Sequence, residues 1–147
     1  MKKKIITNIA ELKKKSVNVS SDKEAQDIIK ELEENLDTSR GIGLSAMQIG
    51  IFKSVGIIRV KDKEKFNLIN PVILEKKEKF KFPQEGCLSL PGIYIDTIRY
   101  KEIWLENNEN RFLVSVKMDG ILCIAIQHEI DHINGLTILD RKWRKKR

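Results

Sequence analysis

Histidine is scarce in this chain: its 147 residues include two histidines, two cysteines and three prolines, and only 6% of residues are aromatic. Two cysteines allow one disulfide at most, which a chain of this length does not need. A reducing, cytoplasmic compartment is therefore expected. No stretch approaches the roughly 18 consecutive apolar residues of a helical membrane span, so no membrane partner is expected. The start Met1-Lys2-Lys3-Lys4 carries the charge of an export signal, but Thr7, Asn8, Glu11 and Lys13 interrupt the apolar run that would have to follow. Gly41-Ile42-Gly43 lacks the third glycine of a dinucleotide fingerprint, and no Gly-Lys-Ser/Thr makes it a phosphate-cradling loop.

What is present suits one soluble domain, 41% hydrophobic and 33% charged, long enough to bury a core. The net charge of +7 favours polyanions in general, but the lysines are spread along the whole chain, so no specific nucleic-acid site is read from them. The one dense basic run is Arg141–Arg147. The sequence divides into a single catalytic domain over 1–140 and a basic C-terminal tail over 141–147, solvated or in contact with an RNA-rich surface. A monomer is expected.

Residues 1–20 form an irregular lead-in with scattered apolar anchors. Ser21-x-x-Glu24 is a capping box, and Ala25, Ile28, Ile29, Leu32 and Leu36 follow at the spacing of an amphipathic helix. From Phe52 to Val116 the pattern changes to short strands, around Val55–Val60, Phe66–Ile69, Val72–Leu74 and Ile103–Leu105. A charged stretch spans Glu75 to Lys81. Asn107-Asn108-Glu109-Asn110 supplies the turn of a hairpin that returns through Phe112, Val114 and Val116. Asp119 is a plausible N-cap for a helix over Ile121–Ile133, apolar nearly all round in its first half, and Asn134-Gly135 stops it. Short strands bracketed by helices argue for an α+β fold.

Both histidines lie in that last helix, in Gln127-His128-Glu129-Ile130-Asp131-His132. Four residues apart, His128 and His132 are only about 40° apart on one helical face, and Glu129 falls about 60° beyond His132. This is the H-E-x-x-H arrangement, two imidazole ligands beside a general base. Polar groups late in a core helix need partners, and a metal with its water would supply them. A catalytic site of this type takes three protein ligands and keeps one position open. Cys123 is about 140–180° around the helix from the histidines and faces away, as a small buried hydrophobe. Spacing leaves the third ligand open among Cys87, in a glycine- and proline-punctuated segment, and assorted carboxylates.

Three segments in order resemble one family. Gly41-Ile42-Gly43-Leu44-Ser45-Ala46-Met47-Gln48 is similar to the G-x-G-L-A-A-x-Q motif of peptide deformylases. Glu85-Gly86-Cys87-Leu88-Ser89 matches their E-G-C-L-S, and Gln127–His132 their Q-H-E-x-D-H. The resemblance runs from about Leu12 to Leu139. It implies short antiparallel strands packed around a central buried helix, and hydrolytic removal of the N-formyl group from the initiator methionine of nascent polypeptides.

The resemblance also assigns residues. Cys87, His128 and His132 would hold one divalent metal, Fe(II) by family precedent, with Zn(II), Ni(II) or Co(II) as alternatives. Glu129 would be the general acid and base, and the Gln48 amide and Leu88 N–H the oxyanion donors. Gly43 would bond the substrate backbone, and Ile42, Ile121 and Ile124 would line the methionine pocket. Outside these, Glu85 and Arg99 would form an ion pair that fixes the cysteine loop, unless Arg99 is a plain surface charge, and Asp131 would orient a ligand.

Ser45 and Ile133 depart from the family's usual alanine and leucine. The chain also lacks the family's long C-terminal helix, so a transient ribosome contact would fall to the basic tail. Two further readings stand beside this one: a zinc peptidase, which H-E-x-x-H alone would suit, and a catalytically inactive binding module of the same fold.

Overall fold

A computed structural model describes residues 2–144 of the chain. In chain order it holds α1 (Ile9–Leu12), α2 (Asp22–Asn35), β1 (Gly43–Ser45), a 3-10 turn (Ala46–Ile49), β2 (Val55–Ile58), β3 (Phe66–Ile69), β4 (Val72–Gly86), β5 (Tyr94–Asn107), β6 (Asn110–Ser115), α3 (Val116–Ile133) and a second 3-10 turn (Ile138–Arg141). The strands form two antiparallel three-stranded sheets, ordered β1-β2-β3 and β4-β5-β6. The class is α+β.

Helix α2 starts where the capping box places it, with Ser21 Oγ accepting from Glu24 N at 3.1 Å. Its apolar stripe, Ala25, Ile28, Ile29 and Leu32, packs against Leu44, Val55, Ile57 and Ile69. All four residues of β2 are buried, because α2 covers one face of its sheet and α3 the other. On the α3 side, Ile58 and Leu68 meet Ile103, Leu105 and Val114 of the second sheet, together with Cys123, Ile126 and Ile130. Helix α3 thus packs against both sheets and is the element the core surrounds. Cys123 is buried among these apolar groups, as its position on the helix required.

Three features differ from the sequence reading. A single turn, α1, interrupts the lead-in. Helix α3 begins earlier, at Val116, but breaks at Asp119, whose backbone is extended (φ −158°, ψ 98°). Asp119 Oδ1 accepts from Leu122 N at 3.1 Å, so it caps the second piece. The largest difference is β4, which continues through the charged stretch to Gly86 and pairs with β5 from Val72↔Glu106 to Gly86↔Tyr94. Cross-strand partners absorb those charges: Lys77 faces Glu102, and the Lys76 ammonium lies 4.8 Å from the centre of the Tyr100 ring.

The expected tail is also partly built in. Arg141 closes the second 3-10 turn, Lys142 bridges to Thr97 on β5, and Trp143 N donates to Asp96 O at 2.9 Å. Residues 145–147 of that tail lie outside the described residues. Among the described residues no helix is long and apolar enough to cross a membrane.

The end of α3 is fixed by the lead-in, where Ser16 N donates to Ile133 O at 2.9 Å. Just beyond, Gly135 has φ +78°, and a Cβ there would collide with the Lys13 carbonyl. Gly50 also has a positive φ, +87°, but with nothing within 4 Å of its would-be Cβ. Gly50→Ala should therefore cost about 1 kcal/mol from backbone strain alone, and Gly135→Ala about 2–4 kcal/mol from strain plus collision. Urea unfolding of the two variants beside the parent measures the difference.

Candidate metal and catalytic site

Strand β1, the segment after β4 and helix α3 enclose a cavity of about 710 Å³. The bend that ends β4 aims Cys87 at the helix. Its Sγ lies 3.2 Å from His132 Nε2. Sulfur and imidazole nitrogens of Cys87, His128 and His132 all fall within 4.8 Å of one another. The chain segment around Cys87 therefore converges on the two rings that one helical turn brings together.

Outward from these groups runs a buried polar network. His128 Nδ1 is 2.7 Å from Glu85 Oε2. Arg99 grips the same carboxylate with Nε (2.8 Å to Oε1) and Nη2, and Thr97 Oγ1 donates to Oε1 at 2.7 Å. The remaining Arg99 nitrogen, Nη1, donates to Asp131 Oδ2 at 2.7 Å. Arg99 is 2% exposed and is no surface charge. Burial pushes the Glu85 carboxyl up, but hydrogen bonds from Arg99 and His128 outweigh it and hold the pKa at about 2. Asp131 bonds Arg99 and Arg141, so it reaches the histidines only through Arg99.

The two imidazoles differ. Burial, then the positive His128 and Arg99, drive the His132 pKa well below its usual value, leaving a neutral ring. Burial also opposes charge on His128, but Glu129, Cys87 and Glu85 together raise its pKa well above the usual value. Surroundings that attract positive charge, a neutral imidazole and a cysteine sulfur make a donor set that fits a divalent metal of the Fe(II)–Zn(II) series. With Nδ1 of His128 committed to Glu85, its Nε2 is left as the ligand atom.

Glu129 is 3% exposed, and burial raises its pKa. Its Oε1 accepts from Ser45 Oγ at 3.0 Å, and its Oε2 would stand 2.5 Å from a Cβ at Gly43. A methyl there would push the Glu129 carboxylate aside. Gln48 is buried beneath β1, with Oε1 accepting from Ser45 N and Nε2 donating to Ser89 Oγ, both at 2.9 Å. It does not line the cavity, whereas Leu88 does. Ile42, Ile121 and Ile124 all lie on the cavity wall.

Sequence reasoning missed Ser45 as a partner of Glu129, Ser89 and Thr97 as partners of Gln48 and Glu85, and Arg141 as a partner of Asp131. No sequence signal singled out Arg141, although the turn that carries it is closed by Leu139 N to Thr137 Oγ1 at 3.1 Å and Thr137 N to Asp140 Oδ2 at 2.9 Å.

The family model for polypeptide deformylase matches residues 3–147. The peptide deformylase of Aquifex aeolicus is 37% identical over 133 residues, covering 85% of this chain and 78% of that one. That of Borreliella burgdorferi is 34% identical over 135 residues, covering 90% and 81%. Among solved structures, Thermotoga maritima peptide deformylase superposes with a TM-score of 0.83 at 28% identity, covering 98% of this chain and 99% of that one. The Synechococcus elongatus enzyme in complex with actinonin gives 0.82 at 31% identity, with 96% and 78% covered.

Replacing Arg99 by methionine strands two buried carboxylates, Glu85 and Asp131. The expected loss is about 3–5 kcal/mol of unfolding free energy. Arg99→Lys should recover only part of it, because an ammonium cannot serve both carboxylates with a planar fork. Equilibrium denaturation of both variants checks the pair.

Proposed function

This chain belongs to the polypeptide deformylase family, and from that premise we propose that Glu129, Gln48 and Leu88 carry its reaction beside a divalent metal held by Cys87, His128 and His132. The reaction is hydrolysis: the formyl group leaves nascent N-formylmethionyl peptides as formate. The observation that carries the residue assignment is the convergence of three ligand atoms within 4.8 Å, next to a buried carboxylate and at the cavity. A peptidase reading is not favoured, since the third donor is a sulfur from an upstream loop rather than a downstream histidine or acid.

When bound, the metal supplies Lewis acidity that makes water nucleophilic near neutral pH. Glu129 takes the proton of the attacking water, and its raised pKa lets it hold that proton and pass it to the departing amine. Ser45 fixes one oxygen of this carboxylate. An amide NH₂ carries two donors, and Gln48 commits one of them to Ser89. The second, together with the Leu88 N–H, is assigned to the oxyanion of the tetrahedral intermediate. Such a donor contributes on the order of 100-fold or more in rate. Gly43 bonds the substrate backbone, and Ile42, Ile121 and Ile124 receive the methionine side chain.

Fe(II) is the proposed physiological metal, to be checked by elemental analysis after anaerobic purification. We further propose a cytoplasmic monomer whose domain extends through Trp143, so that of the basic run expected over 141–147 only residues 144–147 are left for the transient ribosome contact.

Two measurements test the assignment. Formate release from formyl-Met-Ala-Ser should be fast while the unblocked peptide stays intact, and Glu129→Gln should lower kcat at least about 100-fold with the metal retained. Gly43→Ala should abolish most activity while the protein stays folded, because the new methyl displaces the Glu129 carboxylate. A folded, fully active Gly43→Ala enzyme would overturn that placement.

A further inference from the structure

The C-terminal segment just past α3 touches the surroundings of Glu85, the carboxylate that holds His128. Arg141 grips Asp131 with two nitrogens, Nη2 to Oδ1 at 2.9 Å and Nε to Oδ2 at 3.2 Å. Asp131 in turn holds Arg99, which holds Glu85, which holds His128. Lys142 pairs with Thr97, the hydroxyl donor to Glu85. Trp143 N bonds the carbonyl of Asp96, whose carboxylate accepts from Gln84 N at 3.0 Å beside Glu85. Arg141 and Lys142 thus reach two supports of the Glu85 carboxylate, Arg99 (through Asp131) and Thr97, and Trp143 reaches the residue that holds its chain neighbour Gln84.

Asp131 shows why Arg141 matters. Arg99 reaches only Oδ2, and Oδ1 takes its hydrogen bonds from Arg141. Without Arg141, Asp131 is free to rotate, and Arg99 loses the anchor that keeps its fork square to Glu85. A ligand whose outer partner is loosened binds metal less tightly, typically by 10–100-fold.

We propose that Arg141–Trp143 is a clasp for the metal site, and that Arg141 is a positioning residue for His128 acting through Asp131, Arg99 and Glu85. This rests on Cys87, His128 and His132 being the ligands. A segment that reads as a solvated basic run is then part of the site's scaffold.

The test uses full-length protein loaded with Zn(II) and follows zinc release to a colorimetric chelator. Arg141→Gln should release zinc about tenfold faster than the parent, and Arg141→Lys, which keeps the charge but not the two-nitrogen grip, by an intermediate factor. Ser21→Ala, which removes the distant cap of α2, serves as a destabilised control and should release zinc at the parent rate. Should Arg141→Gln not fold, Arg141→Lys against the same control decides the question. Unchanged release in the Arg141 variants, or equal acceleration in Ser21→Ala at matched melting temperature, overturns the clasp. A parent that retains no zinc overturns the ligand assignment and the clasp with it.

Discussion

A carboxylate with 5% of its residue exposed tolerates its charge only when every lone pair is met, and Glu85 meets that condition by joining three parts of the fold. Arg99 and Thr97 hold it from the neighbouring strand, and His128 meets it from the helix. Cys87 lies two residues further along the same backbone. One buried anion thus sets both where the thiol is delivered and which nitrogen of His128 faces it. The arrangement is of the kind where removing one partner is far worse than never having had the pair, because the desolvated charge remains.

The polarity of the site follows from the same anion. His128 sits among Glu85, Glu129 and Cys87 and is drawn towards positive charge, while His132 sits behind it and is driven neutral. Two residues of one type, one helical turn apart, are thereby made unequal by what they face. Glu129 is fixed by Ser45 and fits where Gly43 has no side chain, which sets the place of its carboxylate beside His128.

Much of this was legible in the chain. Helix α2 announced itself through its capping box and apolar spacing, and the H-E-x-x-H spacing fixed the face shared by His128 and His132. What could not be read was whatever depends on register. Glu75–Lys81 looks like a solvated run because Phe80 is its one apolar residue; only the opposite strand, with Glu102 facing Lys77 and Tyr100 beneath Lys76, makes it a strand. Arg99 could not be told from a surface charge, since its partners lie 14 residues upstream and 32 downstream. Arg141 was hidden for a related reason: within a run of cations, sequence cannot single out the one that faces a buried acid.

The bond from Ser16 to Ile133 joins the first and last ninths of the molecule. Contacts of such separation are expensive in loop entropy and form late in folding. During synthesis Ile6 and Val17 can pair early with Gln48 and Phe52, but Ser16 must wait for the end of α3. A protein that acts on the beginnings of other newly made chains therefore fastens its own beginning in two stages, the second only once the helix that carries its histidines exists.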